Sequence, residues 1–218
     1  MKSSVIVFPG SNCDDDAYHV LKNKFNVDVE FVWHKESNLN GFDGILIPGG
    51  FSYGDYLRTG AIARFSPIMN EVVKSSKKGV PVIGICNGFQ ILLEAGLLPG
   101  SLINNKNIKF LSRMVDLKVV TVNSIFTSKL KRGDTISMPI AHKEGNYIAE
   151  KEVIDDLEQN DQVVFKYSNN PNGSTENIAG IINRNRNVLG MMPHPERACS
   201  NLLSSDDGRF IFESMLGI

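Results

Sequence analysis

Short apolar segments alternate with segments of helical periodicity through the first half of the chain. The apolar segments predict strands over residues 4–9, 27–33, 43–48 and 80–85. The helical spacing predicts helices over residues 14–25, 67–77 and 89–95. Short apolar strands separated by helices are typical of a parallel sheet with both faces covered.

The second half of the chain is richer in strand patterns. They cover residues 114–122, 135–141, 163–167, 178–182 and 188–192, and a last helix is expected near Asp206 and Asp207. The whole pattern predicts an α/β fold, with a doubly wound, mostly parallel sheet and an added antiparallel portion, in one domain over residues 1–218. Such sheets bind ligands beyond the carboxyl ends of their strands, which directs attention to the loops after Pro9, Pro48 and Ile85.

Composition narrows the class of protein. The 218 residues are 42% apolar, enough to form a core without disulfide support. The net charge of −1 favours neither nucleic acid nor a membrane surface as a partner. The apolar run at residues 5–8 is too short for a signal peptide or a membrane span, so a soluble, cytoplasmic protein is expected. The three cysteines do not form a disulfide framework, and Cys13 and Cys199 have the settings of ordinary buried cysteines.

The sequence around Cys86 predicts a strand, a sharp turn and a helix. Gly84 and Gly88 flank the cysteine in a G-x-nucleophile-x-G pattern, where larger side chains would collide with neighbouring backbone. The start of a helix also favours a thiolate, the reactive form of the side chain. The alternative is a buried structural cysteine, which is the commoner use of the residue.

A thiol nucleophile needs a base, and the base needs an orienting partner. His194 and Glu196 lie in the segment Pro-His-Pro-Glu after a predicted strand. Residues before proline favour extended backbone, and residues two apart in an extended chain share a face. The segment therefore predicts an imidazole oriented by a carboxylate, with a proline-rich loop carrying a surface histidine as the alternative. Of the other histidines, His19 and His34 are interpreted as structural, while His142 lies in a polar loop and stays a candidate.

Acyl transfer also requires N–H donors for the negative oxygen of its intermediates, and losing one donor costs roughly 10²–10³ in rate. The backbone N–H of Asn87, next to the nucleophile, is the natural first donor. The second is expected from the turn at Gly49 and Gly50, because glycine lets backbone face a substrate. A plain turn that ends a strand is the alternative.

Three segments together resemble the class I, triad-type glutamine amidotransferases. They are Pro48-Gly49-Gly50, the turn around Cys86, and Pro193-His194-Pro195-Glu196. Longer strings narrow the resemblance to the glutaminase subunits of phosphoribosylformylglycinamidine synthase, an enzyme of purine biosynthesis. These strings cover residues 9–14, 49–58 and 190–197, and the resemblance extends over essentially the whole chain.

The resemblance implies a flavodoxin-like fold and a thioester mechanism on L-glutamine. It implies catalytic roles for Cys86, His194 and Glu196, oxyanion donation by Gly50 and Asn87, and substrate contacts at Gly49, Gln90 and His142. One departure is Lys143, since the family usually has His-Gly-Glu-Gly where this chain has His-Lys-Glu-Gly. The role of this loop is therefore left open.

The sequence contains no phosphate-binding loop, no dinucleotide fingerprint and no cluster with zinc spacing, so no cofactor or metal is expected in this chain. The resemblance implies that ATP and Mg²⁺ bind a separate large synthetase subunit, together with formylglycinamide ribonucleotide. It also implies a small third subunit. Tyr53, Tyr56 and Arg58 are candidates either for partner binding or for packing.

Two rival functions remain open. One is another enzyme with a cysteine elbow on the same fold, such as a γ-glutamyl peptidase. The other is a non-catalytic regulatory subunit, which the presence of all three triad residues disfavours.

Overall fold

The computed structural model describes residues 1–218, except for the side chain of Leu203. Its strands are β1 (Lys2–Val7), β2 (Asp28–Trp33), β3 (Gly44–Ile47), β4 (Val82–Ile85), β5 (Ser101–Ile103), β6 (Leu111–Val119), β7 (Thr135–His142), β8 (Asn146–Ile148), β9 (Val163–Tyr167), β10 (Ile178–Ile182) and β11 (Val188–Met191). Its α-helices are α1 (Asp14–His19), α2 (Pro67–Lys77), α3 (Asn87–Glu94), α4 (Lys151–Gln159) and α5 (Arg209–Leu216). A π-helical turn over Val20–Lys24 continues α1.

The main sheet has the strand order β2-β1-β3-β4-β11-β10-β9-β6-β7. Pairing is parallel from β2 to β11 and antiparallel from β11 to β7. The predicted α/β fold, with a parallel sheet and an added antiparallel portion, is confirmed. The antiparallel portion is as extensive as the parallel one, so the sheet is mixed rather than mostly parallel. Strands β5 and β8 form a separate small antiparallel sheet.

The parallel half owes its stability to burial on both faces. Every residue of β3, β4 and β11 is buried, as expected for central strands that read as continuous apolar runs. Helix α2 begins with Pro67, whose fixed φ suits the first helical position, and it buries Ile68, Met69 and Val72. Within the described residues, no helix is long and apolar enough to cross a lipid bilayer.

Some elements differ from the sequence prediction. Helix α4 and the small sheet were not predicted, and the first helix changes to π-helical geometry at Val20. The last helix begins at Arg209 rather than at Asp206 and Asp207. The side chain of Asp207 instead accepts a hydrogen bond from the backbone N–H of Ser137 at 2.8 Å, which ties the segment before α5 to β7.

The carboxyl ends of the parallel strands meet at one edge of the sheet. The register places Ile47 of β3 beside Gly84 of β4, and Ile85 of β4 beside Met191 of β11. Strands β3, β4 and β11 therefore end at nearly the same level of the sheet. This brings together the loops that carry Gly49 and Gly50, Cys86, and His194.

Candidate active site

Cys86 occupies the turn between β4 and α3 in a strained conformation. Its φ of 51° and ψ of −107° lie outside the usual range of residues with side chains. Such a conformation costs on the order of 1–3 kcal/mol and persists only where the surroundings impose it. The backbone N–H of Cys86 is fixed by the carbonyl of Met191 at 2.8 Å. The side chain is 5% exposed, with its sulfur 3.6 Å from the carbonyl oxygen of Ala141.

The two flanking glycines are required by close backbone packing. A Cβ on Gly84 would lie 2.7 Å from the carbonyl oxygen of Gly88 and 2.5 Å from a methyl of Leu92. A Cβ on Gly88 would overlap the carbonyl oxygen of Ile47. The collisions expected from the sequence are therefore present, and they come from the neighbouring strand β3 as well as from α3.

We expect Gly88→Ala to destabilise the protein by about 3 kcal/mol or more, the upper end for an overpacked methyl group, because a backbone carbonyl cannot move aside as a flexible side chain can. Gly96→Ala is the matched control, since Gly96 has a φ of +69° but no neighbouring atom within 4 Å of the point where an added methyl group would lie. Gly96→Ala should lower the free energy of unfolding by only roughly 1–2 kcal/mol, the strain of a left-handed backbone conformation in a residue with a side chain. Urea unfolding of both variants measures the difference. Equal losses would show that the elbow tolerates the extra methyl.

His194 and Glu196 are in direct contact. Nδ1 of His194 lies 2.5 Å from Oε1 of Glu196, and both side chains are almost fully buried. The predicted extended backbone holds for His194, with a φ of −100° and a ψ of 90°. The inference that His194 and Glu196 share the face of an extended chain is wrong, because Pro195–Arg197 forms a 3₁₀ turn. The turn, rather than a shared strand face, carries the carboxylate to the imidazole.

The electrostatics of His194 depend on its neighbours. Burial by itself lowers the pKa of an imidazole, but the negative charges of Glu196 and Cys86 outweigh it and raise the pKa of His194 to about 10. Nε2 of His194 is buried and has no hydrogen bond to a described residue. It is therefore available to exchange a proton with the Cys86 sulfur.

Cys13 lies beside this pair, although no sequence pattern indicated it. Ligand atoms of Cys13, His194 and Glu196 lie within 4.8 Å of one another, a set of residue types that zinc can use. The Cys13 sulfur accepts a hydrogen bond from the Arg197 guanidinium at 3.1 Å, and Arg197 also binds Asp16 at 2.9 Å. Burial, and then the charge of Glu196, raise the pKa of Cys13 to about 12. A neutral thiol beside a guanidinium is poorly suited to a cation, so the cluster fits the packing of His194 better than metal binding.

Gly49 and Gly50 lie opposite the elbow. A Cβ on Gly49 would come within 2.8 Å of Cε1 of His194 and 3.3 Å of Cβ of Cys86, so the absence of a side chain lets these two residues approach. Gly50 has a φ of +133°, and a Cβ there would lie 2.6 Å from the backbone nitrogen of Asn12. Within the part of the chain that the structure describes, the N–H of Gly50 donates to no other group. Asn87 is the first residue of α3, where an N–H has no intrahelical acceptor.

A cavity of about 160 Å³ opens above Cys86. It is lined by Gly50, Phe51, Asp55, Thr59, Cys86, Gln90, Phe110, Ala141, His142, Lys143 and Glu144. Of the residues predicted from the sequence, Gly50, Cys86, Gln90 and His142 line it. Asp55, Thr59 and Glu144 were not predicted. Asp55 could have been found from the sequence, because it is an acidic residue within the glycine-rich string 49–58.

Gln90 connects the elbow helix to the loop after β7. Its Nε2 donates to the carbonyl oxygen of Glu144 at 2.6 Å, and its Oε1 accepts from Nδ2 of Asn87 at 2.8 Å. Oδ1 of Asn87 in turn accepts from the backbone N–H of Ser52 at 3.1 Å. Gln90 therefore holds three loops together around the cavity, and its predicted contact with substrate stays a prediction.

His142 has a defined tautomer. Nδ2 of Asn105 donates to the carbonyl oxygens of Lys109 and His142, so Oδ1 of Asn105 is an acceptor and Nδ1 of His142, 3.1 Å away, carries the proton. Burial, and then the charge of His194, lower the pKa of His142 to about 4. Its Nε2 is thus an unprotonated acceptor, and it has no partner among the described residues.

The loop at residues 142–145 departs from the family pattern only at Lys143. Lys143 is exposed, so its position does not demand a glycine. Gly145 does, because a Cβ there would overlap the ring of His142. Lys143 is therefore compatible with the placement of His142 in this structure.

The remaining candidates divide into packing and exposed residues. The hydroxyl of Tyr53 lies 2.9 Å from Nδ1 of His34, which supports structural roles for both. Arg58 forms two hydrogen bonds with Glu94, at 2.6 and 2.8 Å, while Tyr56 is exposed.

The chain is similar to known proteins over its full length. The family model of the CobB/CobQ-like glutamine amidotransferase domain matches residues 1–209. PurLQS from Thermotoga maritima is 44% identical, with a TM-score of 0.92, over 99% of this chain and 97% of that chain. A glutamine amidotransferase from Thermotoga maritima is 16% identical, with a TM-score of 0.59, over 99% of this chain and 90% of that chain. The glutaminase domain of Trypanosoma brucei CTPS, with bound acivicin, is 14% identical, with a TM-score of 0.63, over 100% of this chain and 94% of that chain.

The likeness to the last two structures shows the fold alone, because their sequence identities are below 25%. The family model covers nearly all of the sequence, however, and the resemblance seen in the sequence is confirmed. The chain therefore belongs to the CobB/CobQ-like glutamine amidotransferase family.

Proposed function

We propose that this chain is the glutaminase subunit of a phosphoribosylformylglycinamidine synthase. It hydrolyses L-glutamine to glutamate and ammonia, and residues 1–218 act as one glutamine amidotransferase domain. The observation that carries the proposal is the buried arrangement of Cys86, His194 and Glu196 in a chain that is 44% identical to PurLQS.

The reaction begins with attack of the Cys86 sulfur on the side-chain amide carbon of glutamine. His194 holds the proton of the Cys86 thiol during the attack, as its raised pKa favours, and the N–H groups of Asn87 and Gly50 stabilise the oxyanion that forms. The C–N bond then breaks, and His194 delivers the proton to the leaving nitrogen, which departs as ammonia. The γ-glutamyl group remains on sulfur as a thioester.

Hydrolysis of the thioester uses the same groups in reverse order. His194 takes a proton from water, and the resulting hydroxide attacks the thioester carbon. The C–S bond breaks, the proton returns to the Cys86 sulfur, and glutamate leaves. Glu196 keeps Nδ1 of His194 oriented throughout, at 2.5 Å.

These steps need no cofactor in this chain. The ammonia is consumed by a large synthetase subunit, which binds ATP and Mg²⁺ and converts formylglycinamide ribonucleotide to formylglycinamidine ribonucleotide. A small third subunit completes the complex, and the complex is cytoplasmic. Neither nucleic acid nor a membrane takes part.

The synthetase subunit docks at the mouth of the cavity. Phe51 and Phe110 line the cavity and remain about half exposed. Tyr56 and Leu57, in the same loop as Phe51, are 74% and 91% exposed. Large apolar side chains around the opening of a reaction site are typical of a surface that a partner covers. A covered opening also keeps ammonia from bulk water.

We expect the purified chain to hydrolyse glutamine slowly, and the complex with the synthetase to be faster by on the order of 10²-fold, the effect of one oxyanion donor. The reason is the loop after Gly50, where Tyr53, Asp55 and Leu57 all have positive φ and where Tyr56 and Leu57 are exposed, so that a bound partner can set the conformation of this loop. Glutamate release with and without the synthetase measures the effect. Full activity of the isolated chain would contradict this expectation.

The rival γ-glutamyl peptidase is tested by substrate choice. The complex should release glutamate from free glutamine in step with the formation of formylglycinamidine ribonucleotide. Preferential cleavage of a γ-glutamyl peptide, with no transfer of nitrogen to the ribonucleotide, would refute the proposed function.

A further inference from the structure

Two carboxylates line the cavity above Cys86. Asp55 belongs to the loop after β3 and Glu144 to the loop after β7, and both line the cavity. Oε2 of Glu144 accepts a hydrogen bond from the hydroxyl of Thr59 at 2.8 Å, which fixes its position. Oδ1 of Asp55 is buried and has no hydrogen-bond partner among the described residues. A buried carboxylate oxygen without a partner calls for an explanation, and a bound ligand is one.

The two carboxylates repel each other. Burial, and then the charge of Glu144, raise the pKa of Asp55 to about 6. Lys143, the neighbour of Glu144 in sequence, is a cation that also lines the cavity. Its side chain is exposed, and neither Asp55 nor Glu144 accepts a hydrogen bond from it in the described structure. A cationic group in the cavity would relieve the repulsion and satisfy Asp55.

A third acceptor lines the same cavity. His142 is 3% exposed, and its Nε2 has a free lone pair because the proton is on Nδ1. Its hydrogen bond to Asn105 and its contact with Gly145 fix the ring. The cavity therefore offers two buried acceptors without hydrogen-bond partners among the described residues, Oδ1 of Asp55 and Nε2 of His142, beside the carboxylate of Glu144. A ligand rich in N–H donors complements them.

We propose that Asp55 and Glu144 bind the α-ammonium group of glutamine, and that Nε2 of His142 accepts a further N–H of the same substrate. This inference rests on the proposed function and names the part of the site that selects an α-amino acid. The ammonium group offers three donors and a positive charge to two carboxylates. Asp55 and Glu144 are binding residues in this proposal, and the chemistry at Cys86 is unchanged.

The test compares glutamine with glutaramate, which has the same side-chain amide but lacks the α-amino group. The complex with the synthetase is assayed for ammonia release from both substrates. The wild type should favour glutamine in kcat/KM by about 10- to 100-fold, the effect of removing hydrogen bonds to charged groups. Asp55→Asn and Glu144→Gln should each reduce kcat/KM for glutamine by a similar factor and leave that for glutaramate nearly unchanged, so that the preference collapses.

Asp156→Asn is the matched control, because Asp156 is a carboxylate on α4 that pairs with Arg184 away from the cavity. It should leave the preference at the wild-type value. Alkylation of Cys86 by iodoacetamide, which has no ammonium group, checks that Asp55→Asn and Glu144→Gln retain a folded site. Its rate should be the same in both variants and in the wild type.

Several outcomes would overturn the inference. If Asp55→Asn and Glu144→Gln reduce kcat/KM for glutamine and for glutaramate equally, the two carboxylates hold the loops together and do not bind the ammonium group. If the wild type uses glutaramate as well as glutamine, the inference fails even where a variant does not fold. Failure of the wild type to hydrolyse glutamine at all would instead refute the proposed function.

Discussion

Replacing Cys86 by alanine is expected to abolish glutamine hydrolysis without unfolding the protein. Removal of the nucleophile from a triad costs at least about 10⁴ in kcat, and up to about 10⁶ where the remaining groups cannot act without it. Alanine keeps the Cβ and therefore the strained backbone at a φ of 51°, so the turn should retain its shape. Glutamate release by the complex measures the loss, and mass spectrometry after treatment with acivicin locates the labelled residue in the wild type.

The control for Cys86→Ala is synthesis with ammonium chloride in place of glutamine. Since the ammonia would then reach the synthetase from solution, the variant complex should form formylglycinamidine ribonucleotide at the wild-type rate. Cys199→Ala is a matched cysteine control, because its sulfur is buried against the carbonyl oxygen of Pro195 and it should retain glutaminase activity. Labelling of any residue other than Cys86 in the wild type would overturn the assignment of the nucleophile.

The parallel half of the fold could be predicted because its physical signal is local. Strands such as β4, buried on both faces, appear in the sequence as unbroken apolar runs, and α2 was predicted at its observed bounds. Helix α4 was missed because only Ile154 and Leu157 are buried along it, among acidic residues. Strands β5 and β8 have three residues each, too few to give a periodic pattern.

The candidate site also contains parts that could be predicted from local sequence and parts that could not. The turn at Cys86 and the contact between His194 and Glu196 involve residues close in sequence, so local strings were enough to suggest them. The meeting of Thr59 and Glu144 joins residues 85 apart, and it depends on how the loop after β7 lies over the loop after β3. Cys13 is a buried cysteine as predicted, but its position beside His194 could not be predicted for the same reason, since it exists only in the folded chain. The hydrophobic pattern and the spacing of motifs along the sequence do not indicate contacts between residues that are far apart in the chain.

Replacing Glu196 by glutamine is expected to lower kcat by roughly 10²–10⁴, because an amide neither fixes the imidazole tautomer nor stabilises its protonated form. It should also change the pH dependence. Burial lowers the pKa of His194, but the carboxylate of Glu196 and the charge of Cys86 outweigh it and raise that pKa from 6.5 to about 10 in the folded state. In Glu196→Gln the pKa falls, so the alkaline limb of the profile of kcat/KM against pH should move to lower pH.

The same shift has a consequence for stability. A histidine with a raised pKa in the folded state stabilises the protein fully below pH 6.5, and this contribution is lost as the pH rises towards 10. The wild type should therefore lose stability over this range, and Glu196→Gln should lose less of it. Urea unfolding at several pH values measures both slopes, with Glu158→Gln, an exposed partner of Lys166, as the matched control. An unchanged alkaline limb together with an unchanged stability slope in Glu196→Gln would mean that Glu196 does not hold the proton on His194, and its role would reduce to packing.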